Sequence, residues 1–236
     1  DTAQNFSDTI RINAPVQSLN SVSLTGTDIG INDVITAGQV TLSTPTGSFT
    51  NVFEGTPGGI VAGQVSTLLV GEGGMNLTLD SLNNRIGNLS LNVSNATVRV
   101  DNAAGTSTNV QGTVFGDLTL IAGSGGFAQA AGAGAALSVS ADTQISTLGA
   151  DAAALNNPAN QFFGPLNFDT TGGGALTLAA QGPLTATGRG SGDVRMTVTG
   201  GPLTLGTAGI NTTGALIDLS SAGFVDNSDT GFALAT

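Results

Sequence analysis

Gly116-Asp117-Leu118-Thr119-Leu120-Ile121-Ala122-Gly123 holds an apolar-polar-apolar triplet, Leu118-Thr119-Leu120, with glycine on both flanks. Residues that alternate in this way form a half-buried strand, and the flanking Gly and Asp favour turns. The same word recurs along the chain. It returns as Val22-Ser23-Leu24, Val40-Thr41-Leu42, Leu77-Thr78-Leu79, Val98-Arg99-Val100, Leu137-Ser138-Val139, Leu176-Thr177-Leu178, Met196-Thr197-Val198, Leu216-Ile217-Asp218-Leu219 and finally Leu234. In chain order the first residues stand 18, 37, 21, 20, 19, 39, 20, 20 and 18 apart, which reads as single and double steps of a 19–20-residue period. Ile60-Val61 fills the first double step, and the pattern fails over 156–160 in the second.

Further apolar points fall about half a period on, at Ile29, Ile31, Phe49, Ile145, Leu184, Leu205, Ile210 and Phe224, so each repeat has more than one inward edge. Short strands, tight turns and this period predict an all-β fold, a right-handed parallel β-helix of 11–12 coils. At about 4.8 Å per coil, twelve coils would make a rod roughly 58 Å long. Thirty-six glycines and many β-branched residues disfavour helix. Residues 1–20, with Phe6, Ile10, Ile12 and Val16, read as a first coil or N-terminal cap, and 21–236 as the shaft. Within the shaft, 127–136 is an Ala/Gly run that fits either a small-residue coil or an excursion. Residues 149–165 lack alternation and are expected to include a looped or short helical insertion, with Phe162, Phe163 and Phe168 covering part of the rod.

Composition removes most chemistries. The chain has no Trp, Tyr, His or Cys, and its five cations are Arg11, Arg85, Arg99, Arg189 and Arg195. A serine nucleophile would therefore have no His or Lys as base, and soft metals would have no imidazole or thiolate ligand. We expect no enzyme, no cofactor and no resident metal. The net charge of −11 and the scattered arginines argue against nucleic acid. The longest near-apolar stretch, 127–139, is too short for a transmembrane helix, and no signal peptide is read at the start of the sequence, as in a mature form or an excised segment.

Oxygen ligands remain. Asp28 with Asp33, Asp142 with Asp151, Asp226 with Asp229, and Glu72 near Asp80 are the carboxylate groupings; Asp226-Asn227-Ser228-Asp229 is the best calcium candidate. The plainer reading of these acids is turn formation, because Asp and Asn tolerate left-handed backbone and bond to it. Of six Asn-x-Ser/Thr sequons, at Asn5, Asn76, Asn88, Asn92, Asn95 and Asn211, four crowd into 76–97. The alternative for that crowd is an outer face of stacked amides bonding along the rod. Thr25/Thr27 and Thr185/Thr187 do not recur coil after coil, so no ice-matching ladder is expected.

The words at 116–123, Ala136-Leu137-Ser138-Val139-Ser140-Ala141-Asp142-Thr143-Gln144-Ile145, and Gly174-Ala175-Leu176-Thr177-Leu178-Ala179-Ala180 resemble the repeats of filamentous-haemagglutinin-like proteins. Those are large exoproteins and autotransporter-type passengers of Gram-negative surfaces. The resemblance covers roughly 20–236 and implies a secreted, cell-surface adhesive rod whose partner is a cell-surface, matrix or glycan ligand. Asn157-Pro158-Ala159-Asn160 only loosely echoes the Asn-Pro-Asn motifs of two-partner secretion domains, so a shaft segment is implied. Two alternatives stand beside it. One is a filament subunit joined end to end; the other is a β-helical carbohydrate-active domain using acids such as Asp142, Asp151 or Asp169.

Overall fold

The computed structural model describes residues 9–69, 73–226 and 234–235. Strands make up 64% of the described residues and form one parallel sheet wound into a solenoid of about ten turns. Its turns are joined by in-register pairing. One column runs Ile10, Ile29, Val52, Leu77, Ala96, Leu118, Thr143, Leu166, Ala186 and Leu205, each residue paired with the next. Its steps are 19, 23, 25, 19, 22, 25, 23, 20 and 19 residues, close to 22 on average.

A turn carries three short strand runs. The first face holds the column above. The second and third are often one long strand bent at a corner, as in Val16–Thr25, Val34–Ser43 and Gly59–Leu68. The register slips at that corner between Ser18 and Ser21. Gly38, Gly63 and Gly87 stack there, and a Cβ on Gly87 would stand 2.7 Å from the Gly63 carbonyl oxygen, so side chains are excluded from the inside of the bend. Farther along, the second and third faces separate into Phe127–Ala128 and Leu137–Val139.

This geometry explains why 19–20 underestimates the turn. Val22 and Val40 lie on the third face, where they pair with each other and Val40 pairs with Val65. Leu77, Val98 and Leu118 lie on the first, Leu137 on the third, and Leu176 and Met196 on the second. The triplets look alike because each face needs the same inward-outward-inward pattern. Counting them in series jumps between faces.

The core is a set of aliphatic stacks. Ile29, Ile60, Leu79, Leu89, Leu120, Ile145 and Leu166 are completely buried, and among the described phenylalanines Phe127, Phe162 and Phe168 join them inside. The stretch 149–165 is corrected: it forms an ordinary turn whose strands Ala153–Leu155 and Gln161–Phe162 pair with Phe127, Leu176–Leu178 and Ser138–Val139. Phe162 and Phe168 fill the interior, and only Phe163, 68% exposed, lies on the outside. The 127–136 run is divided: Phe127–Ala128 is a second-face strand, and the rest is an excursion whose 3₁₀ turn, Ala133–Ala135, exposes Ala133 and Gly134 and buries Ala135. Thr9–Ile12 begins the first described turn, while Phe6 lies outside the described residues.

Close stacking makes some glycines irreplaceable. Gly112 has φ 119°, and a Cβ there would sit 1.9 Å from the Leu91 carbonyl oxygen of the turn below. Gly105 also has positive φ, 78°, but open space around it. Gly112→Ala should therefore cost several-fold more than the ~1 kcal/mol expected of Gly105→Ala, read as the shift in urea midpoint. Equal midpoints for the two variants would contradict this packing.

Candidate functional site

The outer surface of the first face carries a polar column one residue ahead of the inward-facing one. Asn51 Nδ2 donates to Asp28 Oδ1 at 3.4 Å, Asn76 to Asn51 at 3.5 Å, and Asn95 to Asn76 at 2.9 Å. The line then changes donor: the Asp117 backbone N–H bonds to Asn95 Oδ1 at 2.9 Å, and that of Asp142 to Asp117 Oδ1 at 3.1 Å. A second, shorter ladder joins Asn109 to Asn88 at 3.2 Å. Three of the four crowded sequon asparagines, Asn76, Asn88 and Asn95, are thus stacked amides, while the Asn92 backbone N–H bonds to Thr67 Oγ1. In-register stacking places each amide about 4.8 Å from the next, within reach for hydrogen bonds along the axis.

The candidate carboxylates are dispersed. Asp142 belongs to the ladder, and Asp33 accepts from the Val34 N–H at 2.8 Å. Asp151 accepts the N–H groups of Gly105 at 3.3 Å and Gly125 at 2.9 Å, pinning loops of neighbouring turns. Asp169 is held below the ordinary carboxylate range by the Thr171 hydroxyl and by Arg189, whose guanidinium lies 2.8 Å away. Asp142, Asp151 and Asp169 therefore each have different partners. No group of three acids with metal-holding geometry occurs among the described residues. Of the calcium candidates, Asp226 ends the strand Ile217–Asp226, and Asp229 lies outside the described residues, as does Glu72.

Two polar positions were not anticipated from the sequence. Asn160 is completely buried: its Oδ1 accepts the Leu137 N–H at 2.8 Å, and its Nδ2 donates to Gln129, Leu155 and Ala179. One amide thereby bridges successive turns where the triplet pattern lapses. Glu54 continues the inward alternation of Thr50 and Val52, so its carboxylate enters the corner of the turn. Glu54 Oε2 accepts from the Ser81 N–H at 2.8 Å and from Asn84 Nδ2 at 2.9 Å, while Oε1 is buried without a partner.

Burial is the main reason the Glu54 pKa rises to about 7, with the nearby Asp80 charge adding to it and the Ser81 and Asn84 bonds opposing it. An acid whose folded pKa is raised stabilises the fold fully below its unfolded pKa of 4.5 and loses that contribution as pH rises through about 7. The limit is on the order of 3 kcal/mol at neutral pH. Glu54→Gln, which cannot ionise, should gain stability on the wild type between pH 5 and 8 in urea melts. A constant difference between the two across that window would refute the assignment.

No helix among the described residues is long and apolar enough to cross a membrane. Comparison with known protein families, curated proteins and solved structures finds no match to this chain. The class defined by the coordinates is the parallel β-solenoid repeat protein.

Proposed function

We propose that this chain is a structural and adhesive rod segment of a large secreted protein on a Gram-negative surface, related to the filamentous-haemagglutinin-like exoproteins. The observation that carries this reading is uninterrupted stacking: about ten turns share one aliphatic core, and side chains at regular intervals form polar columns outside. Such a body keeps its shape with few aromatics and offers a long repetitive surface. The absence of His, Cys and Lys from the sequence supports a non-catalytic role. The separate bonding of Asp142, Asp151 and Asp169 weighs against the carbohydrate-cleaving alternative, which needs two cooperating acids.

A second reading, end-to-end assembly, draws on the outermost strands. Thr9–Ile12 pairs only with Asp28–Ile31, and Ile217–Asp226 only with Val194–Thr212, among the described residues. Ile10, Ile12, Ile217 and Leu219 are correspondingly only partly buried.

Small-angle scattering should report an elongated particle with a stack about 48 Å long, ten turns at about 4.8 Å each. Beads coated with the protein should adhere to host cells or extracellular matrix. A compact globule would sink the rod, and beads no stickier than albumin-coated ones would remove the adhesive role. Sedimentation should show association that grows with concentration if ends join; a concentration-independent monomer argues against the second reading.

A further inference from the structure

The outward asparagines of the first face are paired with one another along the axis. Two glutamine amides are not, at the edge where the third face turns into the first, around Phe163. Gln161, Phe162 and Phe163 run in-out alternation, so Gln161 and Phe163 both point outward while Phe162 is buried. The side-chain amides of Gln161 and Gln181 make no hydrogen bond among the described residues, unlike Asn51, Asn76 and Asn95. With Phe163 and Pro183 they border a shallow groove of about 320 Å³.

The aromatic feature repeats along the axis. Val114 pairs with Val139, and Val139 with Phe162, so Phe115, Ser140 and Phe163 follow one another on successive turns. Matching backbone bonds, Phe115 to Val93, Ser140 to Val114 and Phe163 to Val139, confirm the column. Phe115 is 58% exposed and Phe163 68%. The two rings thus stand two turns apart, about 9.6 Å, with a small serine between them. Two residues beyond Phe115 and Ser140 lie Asp117 and Asp142 of the polar ladder.

We propose that this edge binds an extended, neutral β-1,4-linked glycan, Phe115 and Phe163 stacking on every second sugar while Gln161 and Gln181 hydrogen-bond its hydroxyls. This rests on the adhesive reading above and names its ligand class. In a β-1,4-linked chain each sugar is flipped relative to the last, so like faces recur at every second residue, the interval at which the rings recur. Apolar C–H faces stack on aromatic rings, and sugar hydroxyls satisfy the free donors and acceptors of the amides. The net charge of −11, with Asp117 and Asp142 beside the rings, opposes uronate-rich or sulfated chains and leaves neutral ones.

Cellohexaose and chitohexaose, titrated calorimetrically into the whole chain, should bind, with heparin and polygalacturonate not binding. Phe163→Ala should raise Kd about tenfold, and Phe115→Ala several-fold. The doubly substituted Gln161→Ala/Gln181→Ala protein should also bind more weakly. All these side chains are outward-facing, so unchanged circular dichroism and melting confirm that each variant is folded. Failure of both neutral hexaoses to bind, equal affinity for wild type and Phe163→Ala, or preference for the polyanions would overturn the proposal. Adhesion of coated beads separates the levels: beads that adhere without competition by either hexaose keep the adhesive reading and remove the glycan, whereas beads that do not adhere remove both.

Discussion

Everything in this molecule depends on turns lying in register, each residue directly above its counterpart in the turn before. The backbone ladder supplies that register, and every other feature is a consequence of repetition at about 4.8 Å. Inside, like side chains meet like: Leu166 stacks under Ala186, and Ile35 under Ile60. Outside, an amide that meets an amide can donate and accept in the same direction, so Asn51, Asn76 and Asn95 become a ladder instead of three isolated turn residues. The same constraint forbids a Cβ at Gly112, because the carbonyl of the turn below occupies the space.

A repeat fold of this type was legible because in-out alternation is a local property. Leu118-Thr119-Leu120 declares a half-buried strand without reference to any partner. What alternation does not declare is which face of the coil a strand occupies. Val40 and Leu77 look equivalent in the sequence, yet the first pairs with Val65 and the second with Ala96. A regular spacing therefore emerged from triplets on different walls, and the turn came out as 19–20 residues where the pairing gives an average near 22. Corner loops vary in length while the strands stay in register, so the period fluctuates without disturbing the stack.

The stretch 149–165 shows the complementary failure. Its core is built by Ala153, Leu155 and Phe162 in two very short strands, and the link between them is held by Asn160, a polar residue buried completely. A hydrophobic pattern cannot flag an inward asparagine, since its value lies in satisfying the N–H of Leu137 and the carbonyls of Leu155 and Ala179 at once. Glu54 was hidden for a similar reason. Its place after Thr50 and Val52 does point it inward, but an acid at a strand end reads first as a solvated cap. The two phenylalanines at 162 and 163 were separable only by parity: one step of the chain sends the first into the core and the second into solvent.

Because register spends polar groups on their own neighbours, a solenoid surface that looks rich in donors is chemically quiet over much of its length. An amide in a ladder must give up its partner before it can bind anything, which offsets much of what a ligand would contribute. Recognition on such a body therefore concentrates where repetition breaks: at a corner where small residues alternate with rings, or where amides leave their hydrogen-bonding groups unpaired. Ser140 between Phe115 and Phe163 is such a break, and the unpaired amides of Gln161 and Gln181 are another on the same edge. The rod's regularity supplies a rigid frame at fixed intervals; its irregularities supply the groups still free to bond.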